Sequence, residues 1–282
     1  PYFDNLWGMH NTGQTGGVSG ADIDAPEAWD IDQGSSDIIV GVLDSGIDYN
    51  HPDLIDNMWT NPGEIPDNGI DDDANGYVDD YHGYDFFNND GDPFDTGYQC
   101  GHSTHVSGII AAKGNNSIGV AGVSWNTKIA ALQFLSFDPY WNGCIGNSDD
   151  AVDAILYSAM MGMDLTNNSW GGGPPSFALQ DAIEYANILF VAAAGNWSAN
   201  LDISPDAGYP AAYDSDNILS IASLDAGDGM SYFSNYGLTA VDLGAPGNNI
   251  FSTFPPGYYY NSNCGDGDGD GYGICGGTSM AS

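Results

Sequence analysis

The chain has 282 residues, of which 42% are hydrophobic, and this is enough for one large domain with a buried core. It has 39 acidic side chains, 2 lysines and no arginine, which gives a formal net charge of −37. This composition excludes an extended cationic surface. Nucleic acid and anionic membranes are therefore not expected partners, because contacts to phosphate require Lys or Arg. Salt or bound cations relieve the self-repulsion, so the acidic residues serve solubility in salty surroundings, form cation sites, or do both.

Five apolar runs have the character of buried β-strands. They cover residues 37–43, 128–133, 188–193, 218–222 and, more briefly, 241–243. A continuous apolar run is expected for a strand that is covered on both faces, as strands of a parallel sheet are. Helical patterns lie between these runs.

The clearest helix follows Ser148, a suitable N-cap with acidic residues in the next turn. A second helix is predicted from about residue 176 to 187. This alternation predicts an α/β fold, a three-layer parallel sheet with helices on both faces, as a single domain over residues 1–282. Two segments rich in Gly, Asp, Asn and Tyr, residues 61–95 and 255–273, are predicted to be loops or insertions.

Four polar side chains lie where the functional sites of parallel sheets are usually found, at the carboxyl ends of strands and in the turns beside them. Asp44 ends the first strand, and Asn196 follows the strand predicted at 188–193. His102 begins a helix, and Ser279 lies in a Gly-Gly-Thr-Ser-Met-Ala turn. Alone, such an Asp is often a turn former and such a Ser is more often a helix cap. Together they could form a nucleophile, a base, an acid and an oxyanion donor, and the order Asp, His, Ser fits only one of the common triads.

The sequence resembles the subtilisin-like serine proteases, or subtilases, around each of these side chains. The four similar blocks are residues 42–46, 101–106, 193–196 and 277–281. Further similar stretches are residues 7–14, 119–123, 168–172, 233–237 and 244–247. The resemblance therefore covers nearly the whole chain.

This resemblance implies a serine endopeptidase with Asp44, His102 and Ser279 as its triad and Asn196 as the oxyanion donor. Ser279 attacks the scissile carbonyl, His102 transfers the proton, and Asp44 orients the imidazole. The implied substrate-binding residues, which pair with the peptide as an added strand and form a wall of the S1 pocket, are Asn168, Ser169, Trp170, Gly171 and Gly172.

The implied partners are protein or peptide substrates and the chain's own prodomain, and a monomer is expected. Backbone pairing selects little between sequences, so broad specificity is expected, with some preference for apolar or aromatic P1 residues.

Two features depart from the family pattern. Ser103 stands where the family usually has glycine, which adds a side chain beside His102. The chain ends three residues after Ser279 and shows neither a signal-peptide pattern nor a prodomain. We therefore expect a C-terminally truncated fragment that lacks the prodomain and the helix after the nucleophile.

A metal pair of His102 with His105 is not expected, because no third ligand is evident.

Two aspartate-rich segments predict calcium sites, since clustered hard oxygen ligands suit Ca²⁺. The first resembles an EF-hand loop in its spacing, with Gly76 at the turn and His82 at the twelfth position, where an acidic residue is usual. Its candidate ligands are Asp71, Asp73, Asn75, Tyr77 and Asp79. The second repeats alternate carboxylates, and its candidates are Asp266, Asp268 and Asp270. The alternatives are a solvated acidic turn for the first segment and a flexible linker for the second.

The four cysteines, Cys100, Cys144, Cys264 and Cys275, do not have zinc-site spacing. An even number in an exported protein suggests two disulfides, with three pairings open and free buried thiols as the alternative. Closeness in sequence favours Cys264–Cys275, which leaves Cys100–Cys144. A secreted, extracellular protein is expected.

Two other functions compete with an active protease. One is an inactive, subtilase-shaped binding or scaffolding protein, which Ser103 and the early chain end favour. The other is a calcium-dependent adhesion or surface module whose binding would not depend on Ser279. A binding module has no need of all four candidate catalytic groups, so the enzyme is favoured.

Overall fold

The computed structural model describes residues 1–95, 100–256, 264–265 and 269–282. Its helices are α1 (Ala25–Trp29), α2 (His102–Ala111), α3 (Ser148–Met160), α4 (Phe177–Ala186) and α5 (Thr278–Ala281). Its strands are β1 (Ile39–Asp44), β2 (Gly83–Asp85), β3 (Lys128–Gln133), β4 (Ser136–Asp138), β5 (Gly143–Ile145), β6 (Leu165–Asn168), β7 (Leu189–Ala193), β8 (Ile218–Leu224), β9 (Leu243–Pro246), β10 (Ile250–Thr253), β11 (Cys264–Gly265) and β12 (Tyr272–Cys275).

Seven parallel strands form the central sheet in the order β2-β3-β1-β6-β7-β8-β9. Strand β1 pairs with β3 from Ile39–Lys128 to Asp44–Gln133 and with β6 on its other side. Strand β1 therefore lies inside the sheet, and β3 pairs with it as far as its carboxyl end. This is the end at which Asp44 lies.

Helices cover both faces of this sheet, so the predicted three-layer fold is confirmed. Successive strand residues point to opposite faces. Val42 of β1 belongs to one apolar core together with residues of α2 and α5. Leu43, the next residue, belongs to a second core together with residues of α3 and α4. The two candidate catalytic helices, α2 and α5, thus lie on the same side of the sheet and contact one another.

Some element boundaries differ from the sequence expectation. Asn147, with extended backbone angles, is the N-cap of α3, so the prediction of Ser148 as N-cap is wrong by one residue. The last strand of the sheet begins at Leu243 rather than at residue 241, because Asp242 hydrogen-bonds Ser220 through both its backbone and its carboxylate before the ladder begins. Apolar composition locates a strand but does not define where pairing starts.

The described residues also form two small antiparallel sheets. The order β10-β12-β11 delivers the chain to α5, so the segment predicted as a loop at 255–273 contains β11 and the start of β12. Strands β4 and β5 form a hairpin after β3. Within the described part of the chain, no helix has both the length and the apolar character needed to cross a membrane.

Candidate active site

Asp44 and His102 form an acid–imidazole pair in which the acid is buried and the imidazole is partly exposed. The Asp44 side chain is fully buried, and its Oδ1 and Oδ2 lie 2.9 and 2.8 Å from His102 Nδ1. The backbone N–H of Ser45 also donates to Asp44 Oδ1 at 2.8 Å, which holds the carboxylate in place. Because Nδ1 carries the proton that faces the carboxylate, Nε2 of the neutral ring is left as a proton acceptor.

The environment of His102 raises its pKa. Burial works against the charged imidazolium, but the charge of Asp44 and its hydrogen bonds outweigh this, and the charge of Asp95 adds to them. The ring is therefore a better base than an imidazole in water, whose ordinary pKa is 6.5.

Ser279 lies in the first turn of α5 and is 8% exposed. Its hydroxyl donates to the Ser169 carbonyl at 3.0 Å, and the Ser169 hydroxyl donates back to the Ser279 carbonyl at 2.9 Å. Among the described residues, no hydrogen bond joins Ser279 to His102 in this arrangement. No sequence signal indicated this reciprocal link, since the two serines are 110 positions apart.

Asn196 is held through its amide oxygen, and within the described part of the chain its N–H₂ group makes no hydrogen bond. Its Oδ1 accepts from the Thr278 backbone N–H at 2.9 Å and from Thr278 Oγ1 at 3.1 Å. A Cβ placed on Gly277 would lie 3.5 Å from Asn196 Nδ2 and 3.6 Å from the backbone nitrogen of Ser279. The two N–H groups therefore border one small space beside Gly277. An oxyanion hole requires such an arrangement.

A cleft of about 1000 Å³ lies against Asp44 and His102. The β4–β5 hairpin and residues 169–172 contribute to its walls. Of the five predicted substrate-binding residues, Ser169, Trp170, Gly171 and Gly172 line it.

Asn168, the fifth, is fully buried and turns inward, where its amide donates to Thr166 Oγ1 at 2.9 Å. Its side chain therefore braces strand β6 rather than facing the cleft.

Aromatic rings form part of the cleft wall. Trp170 packs edge-on against Phe134, with ring centroids 4.8 Å apart, and more distantly against Phe190. Its indole Nε1 is buried and has no hydrogen-bond partner among the described residues. The cleft wall at Trp170 is therefore mainly apolar.

The two residues that the sequence raised beside His102 lie in the core. His105 is fully buried, and its Nε2 lies 3.0 Å from the Ile250 carbonyl and 3.2 Å from that of Gly273. Burial lowers the pKa of His105 to about 3, so it is a neutral packing residue. Ser103 is also fully buried, and its hydroxyl has no partner in the part of the chain that the structure describes.

A carboxylate cluster lies in the first aspartate-rich segment. Glu64, Asp71 and Asp73 each bring an oxygen to within 4.8 Å of the others. Glu64 is 6% exposed; its Oε1 accepts from Asp72 N–H at 2.9 Å, but its Oε2 is buried without a partner among the described residues. An unpartnered buried carboxylate oxygen beside two others fits a hard cation such as Ca²⁺. Glu64 precedes the EF-hand-like spacing, so the pattern could not have selected it.

The other candidate ligands of that segment have different partners. Asn75 Oδ1 accepts from the Tyr77 N–H at 2.8 Å, while the Tyr77 ring packs against Tyr84 at 4.8 Å. Asp79 turns away and accepts from the N–H groups of Asn68 and Gly69 at 2.9 and 2.8 Å.

In the second segment, Asp266 and Asp268 lie outside the described residues. Asp270 accepts from the Tyr2 hydroxyl at 2.6 Å and from the Tyr272 N–H at 3.1 Å. Its two oxygens are thus used in tying the N-terminal segment to the start of β12.

Two disulfides border the site. The structure joins Cys100 to Cys144 and Cys264 to Cys275. The first links the residue before Gly101 and His102 to strand β5 of the hairpin, so the helix that carries the imidazole is tied to a wall of the cleft.

Comparison with known proteins identifies relatives over most of the chain. The model of the subtilase family matches residues 35–282. Subtilisin-like protease 1 of Plasmodium falciparum is 38% identical over 261 residues, which cover 86% of this chain and 35% of that protein. The halolysin-like extracellular serine protease Nep of Natrialba magadii is 37% identical over 258 residues, covering 90% of this chain and 40% of the relative.

The solved structure of a protease from Pseudoalteromonas arctica has a TM-score of 0.70 and 28% identity, and the match covers 100% of this chain and 82% of that chain. The present chain thus spans 35% to 40% of the length of the two curated relatives. The family resemblance inferred from the residues is confirmed, and the chain belongs to the subtilase family.

Proposed function

We propose that this chain is the catalytic domain of a serine endopeptidase of broad specificity with Asp44, His102 and Ser279 as its triad. The observation that carries the proposal is the convergence of separate elements at one edge of the sheet. Asp44 holds His102 at 2.8 Å, and the N–H groups of Asn196 and Ser279 border one space. A binding module needs neither a raised imidazole pKa nor two converging donors.

The mechanism begins with rotation of the Ser279 hydroxyl away from the Ser169 carbonyl and toward His102. Ser279 Oγ then attacks the scissile carbonyl carbon while His102 Nε2 accepts its proton. Asp44 stabilises the imidazolium, and the N–H groups of Asn196 and Ser279 stabilise the oxyanion. His102 next gives the proton to the leaving amine, which breaks the C–N bond and leaves an acyl-enzyme. Water, deprotonated by His102, then releases the acid.

The substrate binds as an extended strand along residues 169–172. Gly171 and Gly172 have no side chains to block an approaching backbone, and the cleft volume of about 1000 Å³ leaves room for a peptide segment. Main-chain hydrogen bonds of this kind give affinity with little selectivity. The apolar wall at Trp170 supports a preference for apolar or aromatic side chains near it.

A calcium ion completes the carboxylate cluster. Glu64, Asp71 and Asp73 would hold it, and when bound it supplies positive charge that removes the repulsion among them. It acts in stability and not in the reaction, because none of these three residues lines the cleft at Asp44 and His102.

The protein acts outside the cell on protein or peptide substrates, as a monomer that its own prodomain controls. The Natrialba relative is an extracellular serine protease by name, and the two disulfides fit an oxidising environment.

A serine-directed fluorophosphonate tests the proposal in the full-length natural protein. We expect one covalent label, located at Ser279 by mass spectrometry, and casein hydrolysis that the label abolishes. Ser279→Ala should lose both, whereas Ser282→Ala, which removes a hydroxyl three residues later on the same segment, should keep the label. A folded protein that is never labelled, yet binds a partner in a calcium-dependent way, would favour the surface-module alternative.

A further inference from the structure

Asp95 is a buried acidic residue that the proposed mechanism does not use. It follows β2, its side chain is 1% exposed, and its backbone N–H donates to the Ile47 carbonyl at 3.1 Å. Withdrawing a carboxylate from water is costly unless hydrogen bonds or nearby positive charge compensate. The surroundings of Asp95 therefore indicate what its charge interacts with.

One hydroxyl joins Asp95 to both catalytic elements. Thr104 is fully buried on α2, two residues after His102. Its Oγ1 donates to Asp95 Oδ2 at 3.0 Å and accepts from the backbone N–H of Asp48 at 2.9 Å. Asp48 belongs to the loop that begins at Asp44. The first turn of α2 is therefore hydrogen-bonded to the loop that directly follows the acid of the triad.

The charge of Asp95 also acts on the imidazole. Among the described residues, the titratable groups that interact electrostatically with His102 are Asp44, Asp95 and, one turn further along α2, His105. His105 is neutral at neutral pH, because burial lowers its pKa to about 3. The imidazolium of His102 is thus opposed by burial and favoured by two carboxylates, of which Asp44 acts more strongly.

We propose that Asp95 is a positioning residue of the active site, which holds the first turn of α2 through Thr104 and gives the imidazolium a second negative neighbour. The proposal rests on the proposed peptidase function. An amide at position 95 would accept the same hydrogen bond from Thr104 without the charge. Substitution can therefore separate the positioning effect from the electrostatic effect.

The test uses the full-length natural protein with three readouts: the pH dependence of fluorophosphonate labelling, kcat and KM for a peptide, and the NMR titration of His102. Asp95→Asn should lower the pKa of His102 by about 0.3–0.5, since a partly screened charge is removed. At pH values below the pKa of His102, the variant should then be labelled about two to three times faster than the wild type, with the plateau rate at higher pH nearly unchanged. Asp92→Asn, an exposed charge on the same segment, should shift nothing.

Thr104 tests the positioning effect. Thr104→Val removes the hydroxyl at nearly constant volume and should lower kcat at least about tenfold with KM unchanged, because a small displacement of the imidazole is enough for this. Thr104→Ser keeps the hydroxyl and should retain most of kcat. If Thr104→Val does not fold, Thr104→Ser and Asp95→Asn still carry the test.

An Asp95→Asn variant whose His102 titrates at the wild-type pH would overturn the inference. The same is true of an Asp95→Asn variant that lowers only the plateau, because a purely structural residue would do that. Failure of the proposed function is recognised separately, since wild-type protein would then remain unlabelled while the NMR titration of His102 still reports on Asp95.

Discussion

Substitution of Glu64 distinguishes the calcium site in the structure from the one that the sequence spacing suggests. Spacing nominates Asp79, whereas the structure gathers Glu64, Asp71 and Asp73 within 4.8 Å and turns Asp79 toward Asn68 and Gly69. Glu64→Gln should therefore abolish the stabilisation that calcium gives. Asp79→Asn should leave that stabilisation intact.

The magnitudes follow from the geometry. Two charges 4.8 Å apart repel by about 1 kcal/mol even in a water-like dielectric. Glu64→Gln removes two of the three repulsive pairs, so without calcium it should raise the free energy of unfolding by roughly 2 kcal/mol. Calcium at a hundred times its Kd should stabilise the wild type by about 2.7 kcal/mol. At about 2 °C per kcal/mol for a domain of this size, that is a rise in Tm of roughly 5 °C.

Calorimetric melting of the two variants and the wild type, in EDTA and in excess calcium, measures these shifts. The order of the Tm values should reverse between the two conditions: Glu64→Gln should melt at a higher temperature than the wild type in EDTA and at a lower temperature in calcium. Asp79→Asn should lose about 1 kcal/mol equally in both conditions, because one backbone N–H loses its acceptor. A full calcium response in Glu64→Gln, or its loss in Asp79→Asn, would show that the cluster is not the site.

Three further predictions concern the active site and the helix beside it. Asn196→Ala should lower kcat by about 10²–10³-fold with little change in KM, because one oxyanion donor is lost; an unchanged kcat in a peptide assay would contradict its role. The raised pKa of His102 places the acidic limb of the pH profile of kcat/KM above pH 6.5. The same shift means that protonation of His102 stabilises the folded state fully below pH 6.5, and that this stabilisation is lost as the pH rises through the folded-state pKa. A pH–rate profile with a limb below pH 6.5 would refute this. Ser103→Ala should raise the free energy of unfolding by about 1 kcal/mol, because it removes a buried hydroxyl that has no partner among the described residues. Ser158→Ala should not, because the wild-type Ser158 hydroxyl donates to the Ile155 carbonyl at 2.7 Å. Equal denaturation midpoints for these two variants would contradict the reasoning.

The chain order and the local patterns were enough to predict the parallel sheet and the place of its chemistry. Asp44 follows an apolar run, and in a strand buried on both faces the first polar side chain comes at the end of the strand. Asn196 and Ser279 lie at glycine-rich turns next to a strand and a helix, which are local features of the sequence. Such features depend on neighbouring residues, so no long-range information was required.

The directions of the side chains in the folded protein decided which of the candidate residues contact one another. Glu64 joins the carboxylate cluster and Asp79 leaves it because the backbone between them folds back on itself, and ligand spacing cannot describe that. Thr104 contacts Asp95 and Asp48 from a helix 9 and 56 positions away in the chain. Local patterns thus identify the residues that can act at this site. Which of them meet depends on the packed layers, since packing selects one of several staggered rotamers for each side chain.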